Sequence, residues 1–344
     1  FASVSRSGDD VAPLVAVGGA AFDGARGVEL VIPSHAVVRG TGRSIEVAVG
    51  DSTEGAVAAP FPAVLPSEPF ADLRSEPSED DYRAAVARAT SLIRSGSFEK
   101  VVLARSIVVE AGRELDVRAL LARLRAVDPD AYAFATTDGD ATLVGASPEL
   151  LVRKSGRRIE TTPLAGSAPR GSDEESDRAS ASRLRESAKD LEEHRYVVED
   201  VAAALGPLCS SISFPSSPEL VRTANVWHLA TPFVGELRED VASVLDVLDA
   251  LHPTAAVSGL PRAAAAKALR DLEPLDRGGY AGPVGWVDDR GDGEFAIALR
   301  CARVESSRAR LFAGAGIVAA SDPEAELEES ARKFRAFLDA LRWG

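Results

Sequence analysis

The stretch AYAFATTDGDATLVGASPELLVRKSGRRIETTPLAGSA, residues 131–168, decides the fold of this 344-residue chain. Its β-branched and aromatic residues form short runs separated by the turn pairs Asp138-Gly139 and Ser155-Gly156, which are typical of tight strand connections. Strands joined in this way pair antiparallel, because parallel pairing needs a long crossover. The stretch therefore predicts several successive antiparallel strands.

Outside this stretch, helical patterns stand between groups of strands rather than between single strands. Strand-like runs occupy 14–40, 44–50, 100–110 and 220–237, and two hairpins are predicted within 281–304 and 308–318. Helices are predicted at 79–97, 115–127, 187–205, 240–251, 261–272 and 323–341. This order favours an α+β fold with antiparallel sheet over a doubly wound parallel fold.

Two polar stretches, 51–80 and 170–186, are interpreted as a surface connection and as a solvated loop before the helix at 187–205. No glycine-rich phosphate loop opens a helix, and AGAG at 313–316 lies between strand-like runs. DDRGDGE at 288–294 superficially resembles a calcium loop. It is interpreted as a hairpin tip, because a calcium loop needs oxygen-bearing side chains at two positions that Arg290 and Leu299 occupy here.

The composition limits what the chain can bind. Its net charge is −14, and so acidic a protein does not hold nucleic acid or an anionic membrane through bulk charge. Its two cysteines, Cys209 and Cys301, indicate a reducing compartment, and its apolar runs are too short to span a bilayer. We expect a cytoplasmic protein with no nucleic-acid or membrane partner. The lack of a coiled-coil signal favours a monomer.

The segment KDLEEHRYVVEDV, residues 189–201, places a carboxylate where an apolar residue is expected. Val197, Val201 and Leu205 recur every four residues and form one helical stripe. Four residues before Val197 the stripe reaches Glu193. A buried carboxylate is costly without a partner, so this segment predicts that Glu193 faces a cation or carries a proton.

The C-terminal helix repeats this arrangement. Its stripe runs through Glu326, Glu329, Lys333, Phe337 and Leu341. One interpretation is a surface ion pair between Glu329 and Lys333, which would contribute little to the stability of the protein. The other joins this stripe to Asp190 and Glu193, so that two helices present paired carboxylates to one Mg²⁺, an ion that prefers oxygen ligands.

A set of ordered motifs resembles the chorismate-utilising enzymes, which include anthranilate, aminodeoxychorismate, salicylate and isochorismate synthases. These motifs are FEKVVLAR, ASPELLVR, TTPLAGSAPRG, KDLEEH, LHPTAAVSGLP, LEPLDRGGYAGPVGW, IALRCARV and LFAGAGIVAASDPEAELEES. They span residues 98–335, with a weaker match in 1–97. The resemblance implies one chorismate-binding catalytic domain over 1–344. It further implies two large antiparallel sheets packed together and flanked by helices, with Mg²⁺ at a deep central site.

The resemblance also implies roles for individual residues. Glu193 and Glu329 match direct Mg²⁺ ligands, and Asp190 and Glu326 match carboxylates that hold metal-bound waters. The remaining positions that match substrate-binding residues are Gly166, Ser167, His252, Ala256, Val257, Tyr280, Arg300, Gly314 and Lys333. Among these, Arg300, Lys333 and the Gly314 backbone match groups that hold the substrate carboxylates.

Two further matches concern the chemistry. Lys100 lies where water-using members of the family carry lysine and ammonia-using members carry glutamine, and Glu149 lies where the family places its acid. Adding water at C2 of chorismate needs a general base, and expelling the C4 hydroxyl needs a general acid. A lysine serves as base only when neutral, and a glutamate as acid only when protonated, so both need burial.

Ala256 separates the remaining alternatives. Isochorismate synthases resemble this chain in having alanine there, whereas members that eliminate pyruvate carry threonine; His252 occurs in both groups. The leading hypothesis is therefore an Mg²⁺-dependent isochorismate synthase serving siderophore, menaquinone or related biosynthesis. A salicylate synthase with lyase activity, an ammonia-using synthase subunit and a non-catalytic chorismate-binding protein remain alternatives. The chain shows no amidotransferase segment, and no amidotransferase partner is expected.

Overall fold

A computed structural model describes residues 14–23, 27–40, 43–48 and 72–342. The helices in this part of the chain are α1 (Glu79–Arg94), α2 (Val117–Val127), α3 (Glu174–Glu186), α4 (Ala188–Leu205), α5 (Val244–Leu251), α6 (Arg262–Leu272) and α7 (Pro323–Arg342). The strands are β1 (Val15–Ala20), β2 (Val28–Val31), β3 (His35–Gly40), β4 (Arg43–Ala48), β5 (Asp72–Glu76), β6 (Lys100–Glu110), β7 (Tyr132–Asp138), β8 (Ala141–Ser147), β9 (Leu150–Ser155), β10 (Arg158–Thr161), β11 (Leu164–Pro169), β12 (Cys209–Ser213), β13 (Glu219–Arg222), β14 (Val226–Ala230), β15 (Phe233–Leu237), β16 (Gly259–Leu260), β17 (Pro283–Asp288), β18 (Gly293–Ile297), β19 (Cys301–Glu305) and β20 (Arg308–Ile317).

Two large antiparallel sheets organise these strands. One has the order β12-β15-β10-β9-β18-β17-β1-β2, and the other has the order β16-β6-β20-β19-β8-β7 with β5 also on β6. A three-stranded sheet, β11-β14-β13, and a ribbon, β3-β4, complete the described sheets. Helices cover these sheets, and the predicted α+β fold with two large antiparallel sheets is confirmed.

The stretch 131–168 behaves as its turn pairs predict. It forms β7 to β11 in succession, and Gly139 and Gly156 both have a φ of 58°. Glycine adopts this left-handed conformation without the steric cost that a side chain brings. The strands then divide, because β7 and β8 join one large sheet while β9 and β10 join the other.

Strand β6 is the central support of the site. It is buried over nearly its whole length and pairs with β20 from Val101↔Ile317 to Glu110↔Arg308. Helices α1 and α6 pack on one apolar cluster with it, while α7 packs against β20. Its first residue, Lys100, is thereby fixed in the protein interior.

Helices α4 and α7 carry the two acidic stripes. In α4, Val197, Val201 and Leu205 are fully buried and Glu193 is buried beside them, as the four-residue spacing predicts. In α7, Glu326 is also fully buried. None of the helices in the described part of the chain is long and apolar enough to cross a lipid bilayer.

The interpretation of 170–186 as a loop is wrong, because Glu174–Glu186 forms helix α3. Asp173 and Ser176 cap its first turn reciprocally, which satisfies backbone donors that a helix start leaves free. Asp177 accepts bonds from Arg170 and from the indole of Trp227. These contacts attach a polar helix to β14, so part of the charge of the segment serves to dock the helix.

The interpretation of 51–80 as a surface connection is wrong at its end. Strand β5, Asp72–Glu76, pairs with β6, and α1 begins at Glu79. Residues 51–71 of this segment lie outside the described residues, as do 49–50 of the predicted strand at 44–50 and residues 1–13 of the predicted domain. The hairpin predicted within 308–318 is wrong, because Arg308–Ile317 forms the single strand β20, which pairs with β19 and β6. The hairpin predicted within 281–304 is found as β17 and β18. The other predicted helices lie within a few residues of their expected bounds.

Candidate active site

One cavity of about 700 Å³, counting the space at its mouth, brings most of the predicted residues together. Its walls come from β11, β20, α4, α7 and the loops that follow α5 and α6. Eleven of the fifteen predicted site residues line it: Glu149, Gly166, Ser167, Glu193, Ala256, Val257, Tyr280, Arg300, Gly314, Glu329 and Lys333.

Three of the remaining four predicted residues lie directly behind this wall. The ammonium of Lys100 is 3.4 Å from an oxygen of Glu193. Asp190 precedes Glu193 by one turn of α4 and packs against Gly166 of the cavity wall. Glu326 lies one turn before Glu329 on α7 and forms an ion pair with Lys189. These side chains support the wall from the protein interior.

His252 is turned away from the cavity. Its Nε2 donates to the carbonyl oxygen of Phe22 at 3.0 Å, and its ring meets the Phe22 ring edge-on. Burial lowers the pKa of this imidazole to about 4, so the ring is neutral at physiological pH. The structure thus places His252 in a packing position, whereas its neighbours Ala256 and Val257 line the cavity.

Lys100 has an environment that disfavours its charge. The side chain is fully buried, and this burial lowers the pKa of the ammonium, while Glu193 opposes the shift. Its Nζ has no hydrogen-bond partner of good geometry among the described residues, since the contact with Glu193 is long. A lysine held in this way loses its proton more easily than one in water.

Glu149 has the complementary environment. Burial raises the pKa of its carboxyl to about 7, although the backbone N–H of Leu164 donates to it at 3.3 Å. Glu149 is buried together with its chain neighbours Leu150 and Leu151, which is the burial that an acid role requires. Glu149 therefore holds a proton near neutral pH and can donate it.

The four predicted metal-ligand carboxylates form an acidic region paired with lysines. Glu329 accepts a hydrogen bond from Lys333 at 2.7 Å, and both side chains are largely buried, which argues against the surface-pair interpretation. Burial and the negative charge of Glu329 raise the pKa of Glu326 to about 7. Within the described ranges, no three acidic, histidine or cysteine side chains already converge as a ligand sphere.

A basic region faces this acidic one. Lys333 also donates to the carbonyl oxygen of Gly314 at 2.8 Å, and Arg300 lies in the same cavity wall. A Cβ at position 314 would lie 3.0 Å from the carbonyl oxygen of Leu103 and 3.2 Å from the Tyr280 hydroxyl. Glycine therefore avoids crowding between β20, β6 and Tyr280 in this part of the wall.

Four residues important to this wall were missed from the sequence: Lys189, His228, Arg277 and Gly316. Arg277 donates to the Val102 and Val257 carbonyl oxygens and pairs with buried Glu273, which fixes two segments of the wall. At Gly316 a Cβ would lie 1.9 Å from an oxygen of Glu193. The alternation AGAG was the available signal for Gly316.

Comparison with known proteins shows the family to which this chain is related. The family model described as "chorismate binding enzyme" matches residues 58–342. The putative isochorismate synthase MenF of Mycobacterium tuberculosis is 47% identical over 276 residues, which is 77% of this chain and 74% of that protein. Isochorismate synthase DhbC of Bacillus subtilis is 42% identical over 276 residues, covering 78% of this chain and 69% of that protein.

A solved structure shows the same relationship. The crystal structure of the putative 2,3-dihydroxybenzoate-specific isochorismate synthase DhbC from Bacillus anthracis matches with a TM-score of 0.82 at 36% identity. The match covers 95% of this chain and 83% of that one. The family model covers far more than half of the sequence, and the curated relatives are similar over most of their length. This chain therefore belongs to the family of chorismate-binding enzymes.

Proposed function

We propose that this enzyme is an isochorismate synthase, which adds water at C2 of chorismate and expels the C4 hydroxyl. The observation that carries the proposal is the pair of buried groups with opposite pKa shifts, Lys100 lowered and Glu149 raised to about 7. Water addition with loss of a hydroxyl needs one group to take a proton and one to give a proton. The names of the most similar curated relatives support the same assignment.

The proton movements follow from these two environments. Neutral Lys100 takes a proton from the attacking water as the C2–O bond forms. The ring double bonds shift, the C4–O bond breaks, and protonated Glu149 gives its proton so that the hydroxyl leaves as water. Each group ends in the opposite protonation state, and proton exchange with solvent restores both. The substrate and product are isomers, so no further reactant is needed.

The cavity supplies the binding groups for a dianionic substrate. Arg300 and Lys333 are cations in its wall, and charge-assisted hydrogen bonds to carboxylates are among the stronger polar contacts. They provide local positive charge in a chain whose net charge is −14. Tyr280 and Ala256 line the same cavity and would limit the space around a bound ring.

Mg²⁺ forms part of the same proposal. The carboxylates offer only oxygen donors, which suit a hard cation, and one oxygen of Glu326 is buried without a hydrogen-bond partner. Glu193 and Glu329 would bind the ion directly, with Asp190 and Glu326 holding its waters. A bound ion supplies positive charge for one substrate carboxylate.

The test is product analysis by chromatography and mass spectrometry, with purified protein and chorismate, with and without Mg²⁺, and without ammonia. We expect an Mg²⁺-dependent isomer of unchanged mass. The Lys100→Met variant should lose this product, while Lys267→Met, which removes an exposed charge on α6, should retain it. Salicylate with pyruvate would assign a salicylate synthase instead, and an amino product formed only with ammonium would assign an ammonia-using synthase.

A further inference from the structure

A buried histidine that no motif indicated lies between two parts of the cavity wall. His228 is on β14, is 7% exposed, and lines the cavity. Its Nδ1 lies 3.3 Å from the carbonyl oxygen of Gly166, and its Nε2 lies 3.0 Å from Nη2 of Arg300. Both ring nitrogens therefore contact residues of the candidate site.

The two partners determine where the ring proton lies. An arginine guanidinium only donates hydrogen bonds, so Nε2 of His228 accepts from Arg300. A carbonyl oxygen only accepts, so Nδ1 carries the proton and donates to Gly166. Burial, followed by the charge of Arg300, lowers the pKa of this imidazole to about 3. The ring thus stays neutral and keeps its acceptor.

Both partners have unusual backbone conformations. Arg300 has a φ of 49°, which is uncommon for a residue with a side chain. Gly166 has a φ of 74° and lies at a bulge, where β11 changes register against β14. The imidazole of His228 therefore connects Gly166, at the bulge of β11, to Arg300, which follows β18 and has a constrained backbone.

We propose that His228 is a positioning residue, whose Nε2 lone pair directs Arg300 toward a substrate carboxylate. This inference rests on the proposed function, since it gives Arg300 an anionic substrate. Without the acceptor, the guanidinium is free to rotate away, because the cavity wall offers it no second acceptor at hydrogen-bond distance among the described residues. Substrate binding should then weaken, while the proton transfers at Lys100 and Glu149 continue.

Two substitutions separate this role from a purely structural one. A glutamine amide can place its oxygen near the Nε2 position, so His228→Gln keeps the acceptor for Arg300. An asparagine amide can place its nitrogen near the Nδ1 position, so His228→Asn keeps the bond to Gly166 alone. We expect His228→Asn to raise KM for chorismate about tenfold with kcat changed less than threefold, the effect of losing one charged hydrogen bond. We expect His228→Gln to keep KM within about threefold of the wild type.

Other outcomes would contradict the inference. Equal KM values for the two variants would mean that the acceptor for Arg300 gives substrate binding no advantage. A larger KM for His228→Gln would mean that the bond to Gly166 matters more than the bond to Arg300. If the wild type forms no isochorismate, the proposed function fails. The two variants are then compared by their affinity for chorismate, measured by calorimetry, and His228→Asn is still expected to bind more weakly than His228→Gln.

An independent measurement uses the wild-type protein. Its nitrogen NMR spectrum, recorded with labelled histidine, should show His228 protonated at Nδ1 and bare at Nε2. A proton at Nε2 would overturn the inference even if neither variant folds, because that nitrogen could not accept from Arg300.

Discussion

Glu149 and Glu329 line the same cavity, yet their environments shift their pKa values in opposite directions. Burial raises the pKa of Glu149 to about 7, because the Leu164 backbone N–H and the neighbouring lysines offset only part of the desolvation. Glu329 is also buried, but Lys333 and Lys189 outweigh the burial and lower its pKa. The difference shows that the partner of a buried carboxyl, rather than burial alone, sets its charge.

This contrast divides the cavity into two regions with different tasks. On one side, a carboxyl that holds a proton can serve as an acid. On the other, Glu329 is matched by Lys333 and Lys189 and keeps its negative charge in the interior, where a cation can bind. Two glutamates in one cavity can therefore have different chemical roles, as pairs of carboxyl groups do in other enzymes.

Glu149→Gln should produce the largest effect. The amide keeps the shape of the side chain and its acceptor for the Leu164 backbone, but cannot give a proton. We expect kcat to fall by about 10²–10⁴, the usual contribution of a positioned acid, with KM changed much less. Steady-state kinetics with chorismate would measure this, with Glu219→Gln, at an exposed position on β13, as the matched control. A variant with more than a tenth of wild-type kcat would remove Glu149 from the acid role.

The same substitution should stabilise the fold above neutral pH. The folded-state pKa of Glu149, about 7, exceeds the usual value of 4.5. Between these two pH values the folded protein therefore binds more protons than the unfolded chain does. Its contribution to stability is thus present below pH 4.5 and lost as the pH rises through 7. The loss amounts to about 3 kcal/mol at 1.36 kcal/mol per pKa unit. We expect Glu149→Gln to unfold at higher denaturant concentration than the wild type at pH 8, and the gain to shrink at pH 5. A gain independent of pH would contradict the raised pKa.

Sequence patterns predicted the fold where the determining signals are local. The turns at Gly139 and Gly156 and the four-residue stripe ending at Glu193 each depend on neighbours a few residues apart. Helix α3 was missed even though its cap is local, because its docking on β14 depends on Trp227, fifty residues from Asp177. The charge of the segment outweighed the capping signal in our interpretation.

The site was predicted partly from physical patterns and partly from family motifs. Helical spacing singled out the acidic residues and motif matching found Lys100 and Glu149, and the structure gathers most of the predicted residues around one cavity. It missed His228, whose role depends on Arg300, seventy-two residues away. It also missed Gly316, where the need for glycine comes from Glu193 on a distant helix. The sequence alone therefore did not predict contacts between residues that are distant in the chain.

Gly316→Ala should disturb the boundary between the two regions. The added Cβ would lie 1.9 Å from an oxygen of Glu193 and 3.1 Å from Cε of Lys100, so one of these side chains must move. We expect a loss of stability of about 1–3 kcal/mol, typical of overpacking, together with a fall in kcat. Denaturant unfolding and kinetics would measure both, with Gly206→Ala at the end of α4 as the control, since its nearest atom lies at 3.3 Å. Unchanged activity would show that the contact between Lys100 and Glu193 is dispensable.

The smallest effect concerns the proposed Mg²⁺ site on the acidic side. Carboxylates that bind Mg²⁺, or that accept hydrogen bonds from its waters, do so in the ionised form, so binding releases any proton that the site holds. Burial and Glu329 raise the pKa of Glu326 to about 7, and Glu326 is therefore mostly protonated at pH 6 and mostly ionised at pH 8. We expect the Mg²⁺ affinity to rise up to tenfold for each pH unit below 7 and to level off above it. Calorimetric titrations of the substrate-free protein with MgCl₂ at pH 6, 7 and 8 would measure this.

Glu326→Gln should weaken the pH dependence, whereas Glu149→Gln should preserve it, because Glu149 lies on the other side of the cavity. A dependence that disappears in Glu149→Gln instead would mean that the two regions share one proton, and the division drawn between them would fail.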